Sequence, residues 1–287
     1  MGQDILKTGF RELDDRWFGG IKRGEFVVVY SSVVAQTAFL SQILVNMLSC
    51  VPPLKCLYFT FGESKEILHN KLACIKSGVD YEHYFEYKNR SEKDLKKIEQ
   101  TRRWLNEKLY NENAKSLVID NAYTLAEIFL FVAETKSSFG LDVVFIDGLC
   151  FLKNYANEDI RYALSILKDL SVRLNIAVIV GDYFRYAENL PPIEQIQNKY
   201  VFRKADKVIL AIRPEIYATA KQIKNREVKK GCVDFHILKN QTGEQGCFSL
   251  KFDFGTLRFY NPRDEDIDEQ EPPFEDWIDD YFIEKEN

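Results

Sequence analysis

The sequence predicts an α/β protein with a mostly parallel central sheet, helices on both faces and an antiparallel extension at its C-terminal end. Up to about residue 181, near-continuous apolar runs alternate with segments of helical period. Such runs are typical of strands buried on both faces of a parallel sheet. Because strand and helix alternate, the strands are expected to be joined by right-handed crossovers. The last third changes to shorter strand-like runs, which predicts the antiparallel extension.

The elements follow in chain order. Apolar runs predict five parallel strands, at 25–31, 55–60, 116–119, 142–147 and 176–181. Helices are predicted between and after them, at about 36–50, 63–77, 92–110, 124–138 and 158–174. The last helix has the clearest periodicity, because its apolar residues recur at helical spacing from Ile160 to Leu174. Shorter strands are predicted at 206–212, 232–239, 246–254 and 256–260, the last two as a hairpin around Gly255.

Charge divides the chain into a large domain, residues 1–263, and an acidic tail, residues 264–287. The whole chain has a net charge of −5, but the tail holds twelve acidic residues against one basic residue, which leaves residues 1–263 at +6. A mildly basic body is compatible with a nucleic-acid partner. The tail as a whole has no clear period and is expected to be disordered. Its aromatic residues favour a protein-interaction segment. Two alternatives remain open: the tail folds back over the basic, aromatic stretch at 199–207 and mimics nucleic acid, or it has no role.

Several classes of protein are disfavoured. The chain has no apolar run of about 18 residues and no secretory leader at its start, so no membrane partner is expected. Six cysteines are scattered without a CxxC pair, and three histidines lie far apart, so no metal site is expected. Reduced buried thiols are typical of a cytoplasmic protein, which is the expected location.

The junction after the first predicted parallel strand, "VVVYSSVVAQTA" at 27–38, is a candidate phosphate loop. A working loop needs glycines that wrap the phosphates, a lysine that neutralises them and a Ser or Thr for Mg²⁺. Aligning Gln36 and Thr37 with the lysine–threonine pair puts Tyr30 and Ala35 where glycines are needed, so only Thr37 survives. From the residues alone, an ordinary strand-to-helix turn is favoured. The candidate loop residues are Tyr30, Ser31, Ser32, Ala35, Gln36 and Thr37.

The stretch just before it, "TGFRELDDRWFGGIKRGE" at 8–25, resembles the opening of the RecA-like motor domain of DnaB-type replicative helicases. Further segments resemble that family in the same order, including "LDVVFIDGL", whose Asp147 matches the Walker B acid, and "VDFHILKNQTGE". The resemblance runs from about Thr8 to Pro262. It implies a RecA-like P-loop NTPase fold, ATP and Mg²⁺ as cofactors, single-stranded DNA or a replication protein as partner, and a possible homo-oligomer.

Departures from the family pattern fall on its catalytic positions. Gln36 replaces the lysine of the phosphate loop, and Glu63 lies one place after the position of the catalytic glutamate. At the trans-acting finger Lys239 remains, but the arginine is replaced by Gln241. Losing an arginine finger alone can cost about 10³–10⁵-fold in rate. Glu63, Asp147 and Lys239 are therefore interpreted as vestigial, and no cofactor is expected.

Three functions remain open from the sequence. The favoured one is an inactive DnaB-like protein of DNA replication or mobile-element DNA handling, which binds DNA or a helicase. The alternatives are an active ATP-dependent helicase with a non-standard loop, using ATP and Mg²⁺, and a purely structural assembly protein. Candidate DNA contacts combine basic and aromatic side chains, a mixture that suits a single strand, although a solvated loop explains them equally well. They are Arg185, Lys199, Tyr200, Arg203 and Lys204, and Phe202 and Lys207 belong to the same basic, aromatic stretch.

Overall fold

The computed structural model describes residues 5–31, 35–85, 91–110, 116–120, 123–149, 160–183, 200–214 and 231–261. The predicted tail, 264–287, and the boundary at residue 263 lie outside these ranges. Within them the chain forms a two-stranded sheet, a nine-stranded sheet and helices around the larger sheet. None of the helices in the described ranges is both long and apolar enough to cross a bilayer.

The large sheet confirms the predicted α/β fold. Its strand order is β11-β10-β9-β8-β3-β7-β6-β4-β5, and the six strands from β8 to β5 are parallel. Strands β9 to β11 add antiparallel pairs at one side. The run at 206–212, expected in that extension, instead forms a sixth parallel strand, because β8 pairs in parallel with β3. The strands are β3 (Phe26–Ser31), β4 (Cys56–Thr60), β5 (Leu117–Ile119), β6 (Val143–Asp147), β7 (Ala177–Tyr183), β8 (Lys207–Ile212), β9 (Cys232–Asn240), β10 (Gly246–Asp253) and β11 (Arg258–Tyr260).

The helices also lie close to their predicted positions, although the segment 92–110 ends as a π-helical turn, Asn106–Tyr110. Elements that the sequence did not predict are short: the strand pair β1 (Ile5–Leu6) and β2 (Ile21–Lys22), and three of the helices, α1, α4 and α8. The helices are α1 (Arg11–Arg16), α2 (Ala35–Leu48), α3 (Lys65–Ser77), α4 (Tyr81–Phe85), α5 (Glu92–Leu105), α6 (Leu125–Phe139), α7 (Ile160–Leu174) and α8 (Val201–Lys204).

The apolar core lies on both faces of the sheet. Every residue of the central strand β3 is buried, and its side chains alternate between two clusters. Val27 and Val29 pack towards α2, α3 and α5, whereas Phe26, Val28 and Tyr30 pack towards α6 and α7. This two-sided burial explains why the strand has no polar alternation in the sequence.

The motif at residues 8–25 holds the N-terminal segment to the rest of the fold. The Asp14 carboxylate accepts hydrogen bonds from Thr8 N, Thr8 Oγ1 and Gly9 N at 2.9, 2.8 and 3.1 Å. Asn46 Nδ2 of α2 donates to Thr8 O at 3.0 Å. Gly9 has a φ of +85°, and a Cβ there would lie 2.3 Å from Asn46 Nδ2, so a side chain is excluded on two grounds.

A buried ion pair ties this motif to two strands. The Lys207 side chain at the start of β8 is 0% exposed, and its Nζ lies 2.5 Å from Glu25 Oε2. Thr242 Oγ1 accepts a hydrogen bond from Lys207 Nζ and donates to Glu25 Oε1, each at 3.3 Å. The Trp17 ring centroid is 5.4 Å from the ammonium. Burial lowers the pKa of Lys207, and Glu25 raises it again.

Replacing Glu25 by alanine is expected to destabilise the fold strongly. The Lys207 ammonium would lose its counter-charge, and breaking a buried pair by removing one partner costs about 3–5 kcal/mol. The matched control is Asp15→Ala, which breaks the exposed Arg11–Asp15 pair and is expected to cost less than about 1 kcal/mol. Denaturant unfolding at pH 7 measures both variants. Equal losses in the two variants would contradict the assigned role of the buried pair.

Candidate functional site

The carboxyl ends of β4 and β6 bring polar residues together at one edge of the sheet. The two strands are parallel neighbours, and their register pairs the last residues, Thr60 and Asp147. In open α/β sheets, ligands bind outside the carboxyl ends of the strands. Both residues are buried, at 1% and 3% exposure. This edge, with Glu63 beyond β4, is called the carboxylate edge.

Asp147 is held in place by a tyrosine of the neighbouring strand. Tyr58 Oη donates a hydrogen bond of 2.8 Å to Asp147 Oδ2. Burial and then the Asp147 carboxylate raise the pKa of Tyr58 well above its usual value. The phenol therefore stays neutral at physiological pH and acts as a hydrogen-bond donor. Asp147 O also accepts from Phe61 N at 3.2 Å, which fixes the turn after β4.

Glu63 turns inwards and forms an ion pair with Lys71 of α3. Its Oε2 binds the Lys71 ammonium, whereas its Oε1 is buried and has no hydrogen-bond partner within the described part of the chain. Burial raises the pKa of Glu63, Lys71 lowers it, and the nearby Asp147 charge raises it. Glu63 and Asp147 are therefore close enough to repel each other, and Lys71 offsets that repulsion.

The start of α3 explains why these groups meet. The Ser64 side chain caps the helix by accepting from Ile67 N at 3.3 Å, and Asp120 Oδ2 after β5 accepts from Lys65 N at 2.8 Å. The helix therefore begins directly after Glu63. Thr60 Oγ1 donates to Glu63 O at 3.1 Å, which holds the intervening turn against β4.

Only some of the predicted phosphate-loop residues lie within the described part of the chain. Tyr30 is 3% exposed and belongs to the core on the α6 and α7 side, so it fills space where a phosphate loop needs a glycine. Ser31 and Thr37 are buried. Ser32 lies outside the described residues, as do the side chains of Ala35 and Gln36, whose backbones begin α2.

The described residues of the carboxylate edge offer ligands for Mg²⁺ but no unpaired cation for a triphosphate. Glu63 and Asp147 have oxygen ligands of the type that Mg²⁺ prefers, and one or two carboxylates are enough when substrate phosphates complete the shell. Phosphates also need a cation, and position 36 is glutamine. Lys71 is a cation at this site among the described residues, and its charge is paired with Glu63.

Lys239, the residue at the predicted finger position, is bonded to backbone carbonyls of its own chain. Its Nζ donates to Phe202 O at 2.8 Å and to Ala205 O at 2.6 Å, with a longer contact of 3.5 Å to Arg203 O. These carbonyls lie at the C-terminal end of α8, where a cation is favourable. Burial lowers the pKa of Lys239, and Asp206 raises it.

The candidate DNA contacts lie near the start of β8, at the amino ends of the parallel strands, whereas the carboxylate edge lies at their carboxyl ends. Arg203 Cζ and Lys204 Nζ lie 6.0 and 5.7 Å from the Tyr200 ring centroid, so these three side chains form one basic, aromatic patch, called the α8 patch. Arg185 and Lys199 lie outside the described residues. Lys207, expected in the same patch, is instead buried in its ion pair with Glu25 and does not face a DNA strand. Because β8 and β6 are parallel, the α8 patch and the carboxylate edge are at opposite strand ends. The two predicted groups are therefore separate.

Sequence reasoning missed Lys71 and Tyr58. Lys71 lies eight residues after Glu63, about two helical turns, so a search along the predicted helix for a cation could have found it. Tyr58 had no such signal. It reaches Asp147 diagonally across two strands, because its register partner is Phe145. That contact depends on the pairing of β4 with β6, which cannot be read from the sequence of either strand.

Replacing Lys71 by methionine is expected to lower the free energy of unfolding by about 3 kcal/mol at pH 7, because Glu63 becomes a buried, unpaired charge. Without Lys71, the pKa of Glu63 is raised further above its ordinary value of 4.5. The folded state then holds a proton that the unfolded state releases, so stability falls as pH rises from about 4.5. Urea unfolding at pH 4 and pH 7 measures this loss.

The matched control for that experiment is Lys96→Met, which alters an exposed lysine of α5. Its effect is expected to be small and nearly independent of pH. A loss in Lys71→Met that is equal at both pH values would contradict the assigned coupling to Glu63.

Comparisons with known proteins agree with this architecture. The family model for the DnaB-like helicase C terminal domain matches residues 5–261. One similar solved structure is an ATPase domain, with a TM-score of 0.70 and 20% identity over 91% of this chain and 94% of that one. A solved DnaB-like replicative helicase, described with its interactions with primase, is similar with a TM-score of 0.72 and 19% identity.

The second match covers 91% of this chain and 63% of that protein, so the chain spans less than two thirds of its length. No curated protein matches the sequence. The matched family model covers nearly all of the described fold, and it confirms the resemblance at residues 8–25. The chain belongs to the family of DnaB-like helicase C-terminal domains.

Proposed function

We propose that this chain is a catalytically inactive DnaB-like protein of DNA replication or mobile-element DNA handling. It acts by binding single-stranded DNA or a helicase partner instead of hydrolysing ATP. The observation that carries the proposal is the position of Lys239. A finger residue has to present its charge to a phosphate, but this ammonium is bonded to carbonyl groups of α8 in its own chain. Releasing Lys239 would leave those carbonyls without their cation.

The two other catalytic positions support the same proposal. Charge clamps on a transferring phosphoryl group are among the largest catalytic contributions. The phosphate-loop lysine is replaced by Gln36, which carries no charge. Glu63, the candidate base, is paired with Lys71, so its Oε2 is already bound to a cation. Three positions that would act on the phosphate are therefore altered together.

The residues that carry the family resemblance serve the fold. Thr8, Gly9 and Asp14 hold the N-terminal segment, and Glu25 neutralises Lys207. These contacts keep the sheet and its surfaces in place without any nucleotide. The scaffold contacts are retained while the catalytic positions are altered, and this combination supports a binding function.

The binding surface that we propose for DNA is the α8 patch. Arg203 is exposed, and Tyr200 offers an aromatic face beside two cations. Backbone phosphates would contact the cations and a base would stack on the ring. The similar DnaB-like helicase is described with its interactions with primase, so a replication protein is the corresponding class of protein partner here.

Titration calorimetry with ATP and Mg²⁺ tests the loss of catalysis. We expect no binding heat at micromolar protein and no phosphate release above buffer, because Gln36 lacks the charge that holds the β and γ phosphates. Micromolar binding with turnover would contradict the proposal and support the alternative, an active ATPase. The observation that favours that alternative is the buried carboxylate pair, Glu63 and Asp147. In that case Glu63→Gln would abolish turnover while leaving ATP binding.

Binding of an oligo-dT strand at several salt concentrations tests the α8 patch. Replacing Arg203 and Lys204 together by alanine is expected to weaken binding and to reduce the salt slope by about 1.4, since two phosphate contacts are lost. The control replaces Lys7 and Arg11, two exposed cations of the N-terminal segment, and is expected to keep the slope. Affinity that does not change with salt would exclude phosphate contacts and support a structural assembly protein.

A further inference from the structure

An open groove of about 320 Å³ lies between α3 and α5, away from both the carboxylate edge and the α8 patch. Trp104 contributes a half-buried aromatic ring that packs against the core. The Lys76 ammonium lies 4.4 Å from the centroid of that ring. The groove is lined by Lys76, Ser77, Lys97, Gln100, Thr101 and Trp104.

The groove carries positive charge that its surroundings do not neutralise. Among the described side chains, neither Lys76 nor Lys97 forms an ion pair with a carboxylate. Arg258 of β11 lies directly behind the groove, since its guanidinium donates to Ile75 O and Lys76 O. Burial and then Arg258 lower the pKa of Lys76, as expected where cations are crowded. An acidic, aromatic ligand would match this surface.

Residues 274–282 of the C-terminal tail have that chemistry. The five large apolar residues of this segment recur at i, i+3, i+4, i+7 and i+8, so they predict one stripe along a helix. Acidic residues occupy the intervening positions, and Pro272 and Pro273 precede the segment, where proline suits a helix start. The stripe consists of Phe274, Trp277, Ile278, Tyr281 and Phe282.

The chain leaves the described fold beside this groove. Phe259 in β11 is bonded through both its N–H and its C=O to the Gln42 side chain of α2. One residue earlier, Arg258 contacts the backbone of Lys76, which lines the groove. The thirteen residue steps from Asn261 to Phe274 span at most about 47 Å when extended. The connection is therefore long enough to bring the stripe back to the groove.

We propose that residues 274–282 dock in this groove within the same chain. The aromatic stripe would lie against Trp104, and the flanking acids would pair with Lys76 and Lys97. A short covalent connection gives an effective concentration on the order of millimolar, which favours the chain's own tail over a second copy. The tail's acids would also repel a nucleic-acid phosphate from these lysines. Docking is independent of whether the carboxylate edge hydrolyses nucleotide.

The test uses the full chain and two measurements. A carbodiimide joins amines directly to carboxylates, so we expect cross-links from Lys76 or Lys97 to acids at 275–280, formed within one chain. Amide hydrogen exchange over 274–282 is expected to be slowed about tenfold, as for a docked state populated about 90% of the time. Lys97→Glu and Trp277→Ala are each expected to remove that protection while leaving the thermal unfolding of the body unchanged.

The matched control is Lys96→Glu, which makes the same charge change on an exposed neighbour in α5 that does not line the groove. It is expected to keep the protection. The proposal is overturned if residues 274–282 exchange at the rate of an open chain, or if the cross-links reach lysines elsewhere. Cross-links only between chains, in a mixture of isotopically labelled and unlabelled protein, would also overturn it, because the tail would then dock on a second copy. So would protection of the groove by an oligo-dT strand while the tail exchanges freely, because nucleic acid would then be the occupant.

Discussion

The fully buried ammonium of Lys207 constrains the rest of this structure. A charge with no exposure to water is tolerated only with a close counter-charge and further polar contacts. Glu25 supplies the charge, Thr242 bridges the pair, and Trp17 covers it. These partners come from α1 and its flanking turns, the start of β3 and the loop after β9. Neutralising one lysine therefore requires the N-terminal segment, the central strands and the loop after β9 to meet in one arrangement.

That requirement also fixes the loop that follows Lys239 and begins at Gln241. Asn240 Nδ2 donates to Arg16 O and Glu244 O, at 3.2 and 2.9 Å. Gly243 passes so close to α1 that a Cβ would lie 2.3 Å from Arg16 O. The loop is thus packed against α1 while Lys239, just before it, is bound to the end of α8. The finger position is part of the internal framework of this chain.

The polar groups of the parallel sheet are arranged differently at the amino and carboxyl ends of its strands. At the starts of β3 and β8, charges form closed pairs, Glu25 with Lys207 and Asp206 with Lys168. At the carboxyl ends of β4 and β6, Lys71 pairs with Glu63 while Asp147 accepts a hydrogen bond from Tyr58, and Glu63 keeps a buried oxygen without a partner among the described residues. The first arrangement holds the fold together. The second agrees with the inactive centre that we propose, because both acids are present while the lysine position of the phosphate loop is Gln36.

The sequence by itself determined where the sheet strands lie, because a strand buried on both faces is mostly apolar, as β3 to β8 are. It also identified the family, since residues 8–25 combine glycines, an aspartate and a glutamate whose spacing serves specific backbone contacts. It placed Glu63, Asp147 and Lys239 at or just beyond strand ends. Only the tertiary structure decided what those residues contact. The hydrogen bond between Tyr58 and Asp147 depends on the pairing of β4 with β6. The bonds between Lys239 and the end of α8 depend on the pairing of β8 with β9. Short elements such as α1 and α8 were missed because tertiary contacts stabilise them, whereas a helix of four to six residues has too little local periodicity to be recognised.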